Sequence, residues 1–168
     1  MKVGIIGATG YTGEELLKCL ARHGGVEVAF VSSEQRAGVS LKEVFPHLPA
    51  YADLTLCTTE ESTRIDVDLV FTCLPAGESV KWGKRFLDKG SKLIDLGSDF
   101  RFRSADMYTK WYHIEHPHPE LLPDAVYGLT EWHRDDIAHA TIVGNPGCYP
   151  TSVLLPLLPF VAAGLVAD

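Results

Sequence analysis

The chain has 168 residues, with 22 acidic side chains against 15 Lys and Arg and a net charge of −7. That length suits one well-cored domain, and the acidic balance argues against nucleic acid or an anionic membrane as partner, though not against a small anion held at a local positive site. The four cysteines, Cys19, Cys57, Cys73 and Cys148, form no C-x-x-C pair and lack zinc spacing, so they read as the reduced thiols of a cytoplasmic protein. The first residues read as strand rather than leader. The apolar tail from Val153 to Val166 is too short and too interrupted by proline to span a membrane.

Lys2 to Gly7 is a short apolar run, as in a buried parallel strand. Gly7-Ala8-Thr9-Gly10-Tyr11-Thr12-Gly13 follows directly. Leu16, Leu17, Leu20 and Ala21 then recur at helical spacing, and Gly24-Gly25 reads as the C-cap. Val26 to Val31 is a second strand. Strand, glycine-rich turn, helix and strand within about thirty residues make one βαβ unit. The glycines are spaced G-x-x-G-x-x-G. Such a turn lets backbone N–H groups approach a pyrophosphate at the helix start, which makes Gly7, Thr9, Gly10, Tyr11, Thr12 and Gly13 candidate cofactor residues. The competing reading is a plain βα turn that binds nothing.

The end of the second strand bears on which dinucleotide. A site for NAD usually carries an acid there for the ribose 2′-hydroxyl. Here Ser32 and Ser33 come first, then Glu34, with Arg36 close by. Serines and an arginine suit a 2′-phosphate, since Arg binds phosphate through a forked, charge-assisted pair of bonds. This favours NADP, with Glu34 dissenting and a solvated surface charge as the other reading of Arg36.

From Gly38 to Glu61 the pattern is broken by Pro46 and Pro49, with Leu54-Thr55-Leu56 as a candidate short strand. Asp68 to Cys73 is a clearer strand. It ends in the turn Leu74-Pro75-Ala76-Gly77, on the edge where an open α/β sheet binds ligands. Val80, Trp82, Phe86 and Leu87 suggest an amphipathic helix stopped by Gly90. Lys92 to Leu96 is the next strand, and Gly97 to Arg103 leaves it with two arginines, at least one placed to hold an anion. His113, His116 and His118 lie among prolines, and no acidic or Cys ligand completes a convincing metal set with them, so no metal is expected. Val126 to Glu131 and Trp132 to Ile137 lead to a last strand, Ala140 to Val143.

Gly144-Asn145-Pro146-Gly147-Cys148-Tyr149-Pro150-Thr151 then places one thiol where a turn becomes a helix. Unpaired N–H groups and the helix dipole put partial positive charge at that point, which favours an anionic sulfur, the nucleophilic form. Taken alone, Cys148 also reads as a buried, inert thiol. The following segment is apolar nearly all round, so it expects a cover, and Pro156 and Pro159 are expected to kink it or divide it into short pieces. The chain reads as stopping early in a second domain.

Several stretches together resemble the amino-terminal half of the N-acetyl-gamma-glutamyl-phosphate reductase family. They are Gly7 to Leu16, Leu74-Pro75 with Gly77, Asp95 to Arg101, Lys110-Trp111-Tyr112, Glu120-Leu121-Leu122, Ala125 to Glu131 and Asn145 to Thr151. The resemblance implies an α/β fold with a Rossmann-like, doubly wound, mostly parallel sheet. It divides the chain into an NADP-binding domain, 1–147, and the cysteine turn with the first helix of a truncated α+β substrate domain, 148–168. It implies that the Cys148 thiolate attacks an acyl phosphate, that phosphate leaves, and that hydride from NADPH reduces the thioester to a semialdehyde. Arg101 is the candidate for the substrate phosphate and Asn145 for orienting substrate or loop. Leu74, Pro75 and Ser98 join the cofactor residues.

Three departures stand out. Ala76 replaces the family's usual His. Gly97 replaces its usual Ser, with Ser98 adjacent to take over the contact. Family members are about twice as long, and the resemblance places the catalytic histidine in the remaining half, so none of the seven histidines here is nominated. The full-length protein is expected to be a homo-oligomer, and the 168-residue chain alone to bind cofactor without turnover. Two alternatives stay open: an aspartate-semialdehyde dehydrogenase-like enzyme, which the Tyr149-Pro150-Thr151 ending disfavours, and a non-catalytic NADP-binding fragment.

Overall fold

Short runs with apolar side chains pointing both ways fit a sheet covered on both faces, and six such runs become strands. The structure, a computed structural model, describes residues 1–166. The strands are β1 (Lys2–Ile6), β2 (Glu27–Ser32), β3 (Leu69–Thr72), β4 (Lys92–Asp95), β5 (Ala125–Tyr127) and β6 (Ile142–Gly144). The helices are α1 (Tyr11–Leu20), α2 (Leu41–Val44), α3 (Thr59–Ser62), α4 (Ser79–Leu87), α5 (Ala105–Tyr112), α6 (Thr130–His139) and α7 (Cys148–Ala162), with 3-10 turns at Pro49–Tyr51 and Pro119–Asp124.

All six strands pair in parallel, in the order β2-β1-β3-β4-β6-β5. On one face Val3, Ile5, Val31 and Leu69 pack with Leu17 and Leu20 of α1 and with Leu41 and Phe45. On the other, Ile6, Phe30, Val70, Leu93 and Ile142 pack with Val80 and Phe86 of α4 and with Phe100 and Leu122. The sheet is therefore doubly wound and Rossmann-like. One row of partners crosses it: Ser32, Ile6, Thr72, Asp95, Gly144 and Tyr127 stand side by side as the last ladder position of their strands. Everything just past that row lies along a single carboxyl edge.

Three local expectations are corrected. Leu54-Thr55-Leu56 is not a strand: Thr55 makes one isolated antiparallel bridge to Ser40, and Leu56 exchanges backbone bonds with Gly38 and Val39. Helix α1 ends at Leu20 rather than at the glycine pair. Its last N–H groups tighten to three-residue bonds, Arg22 to Cys19 and His23 to Leu20, before the glycines are reached. Helix α7 runs unbroken from Cys148 to Ala162 through Pro156 and Pro159. Each proline forfeits one backbone bond, and the leucines around them are strong helix formers that carry the helix on. No residue of α7 is buried: Val153, Leu157, Phe160 and Val161 are 41–56% exposed, so the cover expected for it is not supplied by the described residues. No described helix is long and apolar enough to cross a membrane.

Candidate active site

The chain runs from β1 through α1 to β2 on one side, then returns to place β3 on the other side of β1, so the β1 and β3 exits form the switch point of the sheet. The glycines of the first turn have separate reasons. Gly7 has φ +79°, and a Cβ there would meet the Cys73 carbonyl at 2.6 Å and Leu74 at 2.9 Å. At Gly13 a Cβ would strike the Ala8 backbone at 2.4 Å, so its absence seats α1 against the turn. Gly10 has no such neighbour, its nearest being the Gly7 carbonyl at 3.9 Å. It is the exposed N-cap residue of α1 and supplies no side-chain cap. An open cradle before an uncapped helix start fits a pyrophosphate, and the Tyr11, Thr12 and Gly13 amides begin that helix.

At the end of β2 the candidate residues part company. Ser32 is fully buried, and its hydroxyl has no hydrogen-bond partner. β2 simply continues one residue further than its apolar run. Ser33 is nearly as buried, its hydroxyl 2.9 Å from that of the partly exposed Thr9. Arg36 is exposed. Glu34 turns away: its Oε1 accepts the Thr59 N–H at 2.7 Å, and contacts from the Thr59 hydroxyl and then its N–H hold this carboxyl below the usual carboxylate range.

The β4 exit carries a network that sequence reasoning missed. Asp95 and Asp99 are both fully buried. Asp95 accepts from the Thr72 hydroxyl at 2.8 Å and from the Gly97 and Asp99 N–H groups at 2.8 and 2.9 Å. Burial pushes its carboxyl up, against these bonds. Asp99 accepts from the Gly77 and Val80 N–H groups at 2.7 and 2.9 Å and from the Tyr108 hydroxyl at 2.8 Å. A carboxylate thus caps the start of α4 from another segment, complementing its dipole, and ties the Leu74–Gly77 turn to the β4 exit. Half-buried Leu74 and exposed Pro75 face the edge from that turn. His116, itself buried, approaches the Asp99 carbonyl at 3.1 Å, and burial lowers its pKa. The available signal was two acids four residues apart in an apolar strand exit, since buried carboxylates demand partners.

Gly97, a departure from the resembled family, is accommodated tightly. A side chain there would meet the Leu74 carbonyl, Ser79 Oγ and Asp95 Oδ1 at 2.8–2.9 Å. Ser98 is buried at the rim, and its carbonyl accepts the Arg101 N–H.

The β4 and β6 exits meet at the cysteine turn. The Asn145 N–H bonds the Asp95 carbonyl at 2.8 Å, and Arg101 Nε donates to the Asn145 carbonyl at 2.9 Å. That bond uses one of the five guanidinium donors, and Arg101 Nη1 lies 3.3 Å from where a Cβ on Gly147 would stand. The cation is thus brought to the start of α7. Asn145 Nδ2 bonds the Pro146 carbonyl at 3.3 Å. Cys148 is the first residue of α7, exposed, with no side-chain cap before it. The other thiols differ. Burial pushes Cys73 up to about 12 and raises Cys57, while exposed Cys19 sits in the last turn of α1.

Residues 2–140 match the family model described as semialdehyde dehydrogenase, NAD binding domain. The chain is 46% identical over its whole length to N-acetyl-gamma-glutamyl-phosphate reductase of Heliobacterium modesticaldum, of which it covers 48%. It is 46% identical over 99% of its length to the enzyme of the same name from Magnetococcus marinus, again covering 48%. It therefore spans about half the length of the curated relatives it matches. In structure it resembles aspartate semialdehyde dehydrogenase II of Vibrio cholerae in complex with ASA (TM-score 0.70, 24% identity, 96% of this chain and 46% of that one). It also resembles the aspartate semialdehyde dehydrogenase of Candida albicans with NADP (TM-score 0.70, 18% identity, 99% and 48%).

Proposed function

We infer that this chain, which belongs to the semialdehyde dehydrogenase family through its NAD-binding domain, is the cofactor and nucleophile half of an NADP-dependent N-acetyl-gamma-glutamyl-phosphate reductase of arginine biosynthesis. The observation that carries the reading is the exposed Cys148 at the start of α7, beside Arg101, on the same sheet edge as the open glycine turn. The identity to reductases of that name over the whole chain supports the substrate. Residues 1–147 form the NADP-binding unit. Residues 148–168, of which the last two lie outside the described residues, begin the substrate and dimerisation domain of a cytoplasmic homo-oligomer.

In this reading the Cys148 thiolate attacks the acyl-phosphate carbonyl, the bond to the phosphate oxygen breaks, and inorganic phosphate departs to leave a thioester on sulfur. Arg101, forked and always charged, holds the phosphate, while Asn145 fixes the loop that presents the thiol. Bound along the glycine turn, NADPH supplies the hydride that reduces the thioester. The carbon–sulfur bond then breaks, releasing the semialdehyde and regenerating the thiolate. None of the chain's own histidines is assigned the proton transfers.

The cofactor part is tested on the 168-residue chain by fluorescence titration. NADPH binds more tightly than NADH, and Arg36→Ala weakens NADPH by about tenfold or more, the scale of one hydrogen bond to a charged group. Equal affinities in the unmutated chain would end the NADP assignment. The substrate part needs a polypeptide extended to the relatives' length. Phosphate-dependent oxidation of N-acetylglutamate semialdehyde proceeds there, and that of aspartate semialdehyde does not. The reverse preference would move the chain to the other branch of the family.

A further inference from the structure

We propose that Glu34 is a specificity-determining residue for cofactor choice, and that it acts by being held away from the ribose. The proposal rests on the NADP reading above and goes beyond it, because it assigns the choice to an acid rather than only to the cation. Glu34 stands two residues past the end of β2, where a free carboxylate accepts hydrogen bonds from a ribose diol and repels a 2′-phosphate. Here that carboxylate is committed elsewhere. The segment from Ser33 to Gly38 is pinned at both ends, the Ser33 N–H to the Cys57 carbonyl at 3.0 Å and the Gly38 N–H to the Leu56 carbonyl at 2.7 Å.

Between these pins Glu34 Oε1 takes the Thr59 N–H at 2.7 Å. Its donor is independently fixed. Thr58 and Glu61 close a reciprocal capping box around the start of α3, with the Thr58 N–H on Glu61 Oε2 at 2.9 Å and the Glu61 N–H on the Thr58 hydroxyl at 3.1 Å. Glu61 thus serves the Thr58 amide, and Glu34 serves the next one. With the acid withdrawn, the end of β2 is left with the exposed Gln35 and Arg36 side chains beside the paired hydroxyls of Ser33 and Thr9. The lock removes a contact that favours NADH and a repulsion that disfavours NADPH.

The test compares three variants of the 168-residue chain by titration with NADPH and NADH. Glu34→Asp keeps the charge but is one methylene too short for the Thr59 amide, and the substitution is on an exposed side chain. Thr59→Pro deletes the donor at the first helical position, where proline is tolerated. Glu34→Ala removes the charge. In the first two the freed carboxylate weakens NADPH and strengthens NADH, so the preference falls by about tenfold or more. Glu34→Ala keeps the preference or increases it. An unchanged preference in Glu34→Asp and Thr59→Pro, or the same fall in Glu34→Ala as in Glu34→Asp, overturns the proposal. If Thr59→Pro does not fold, as circular dichroism will report, Glu34→Asp decides. Failure of the unmutated chain to prefer NADPH would instead overturn the cofactor reading itself.

Discussion

Cys148→Ser removes turnover from a polypeptide extended to the relatives' length, and iodoacetamide modifies Cys148 of the folded 168-residue chain before any other cysteine. A nucleophile has no substitute within the site, so its loss is expected to cost roughly 10⁴-fold or more in kcat. The labelling order follows from placement. Cys73 and Cys57 are held protonated by burial, Cys73 up to about 12, and a protonated thiol does not attack. Cys19 and Cys148 are both exposed, but they occupy opposite ends of helices. Cys148 opens α7, at the positive end of its dipole, and Cys19 lies in the last turn of α1, at the negative end. Mass spectrometry of partially labelled chain separates them. Prior modification of Cys19, or full activity in the serine variant, would remove Cys148 from the nucleophile's role.

Asp99→Ala destabilises the chain by about 3–5 kcal/mol, because it strands several buried donors at once. The Gly77 and Val80 amides and the Tyr108 hydroxyl all donate to that carboxylate, and Asp99 and Tyr108 are both fully buried. Urea denaturation measures the loss as a fall in midpoint. Asp88→Ala is the comparison: it breaks the exposed pair with Lys84 and is expected to cost under about 0.5 kcal/mol. Similar costs for the two would mean that water reaches the Asp99 site and that the network does not tie the Leu74–Gly77 turn to the β4 exit.

What the sequence determined alone is local and periodic. Apolar runs of strand length, glycines at fixed offsets and the 3.6-residue recurrence of Leu16, Leu17 and Leu20 each act within a few residues, so βαβ order was legible from them. So was the thiol at a turn-to-helix junction, since Gly144 to Thr151 holds the whole device. The carboxyl-edge placement of the candidate residues followed from the parallel reading of the strands.

Tertiary structure decided which of those residues face one another. Ser32 and Ser33 look alike in sequence, yet register seals the first inside and leaves the second beside Thr9. Glu34 reads as an acid poised for ribose until its partner, 25 residues on, is seen. Arg101 reaches the cysteine turn across 44 residues, and Asp99 takes the Gly77 amide before α4 from 22 residues further along the chain. No local period encodes such pairs. They arise because parallel pairing sets β1, β3, β4 and β6 side by side although whole helices and loops separate them in the chain, and a buried carboxylate or a forked cation then bonds to whichever donors or acceptors that neighbourhood delivers.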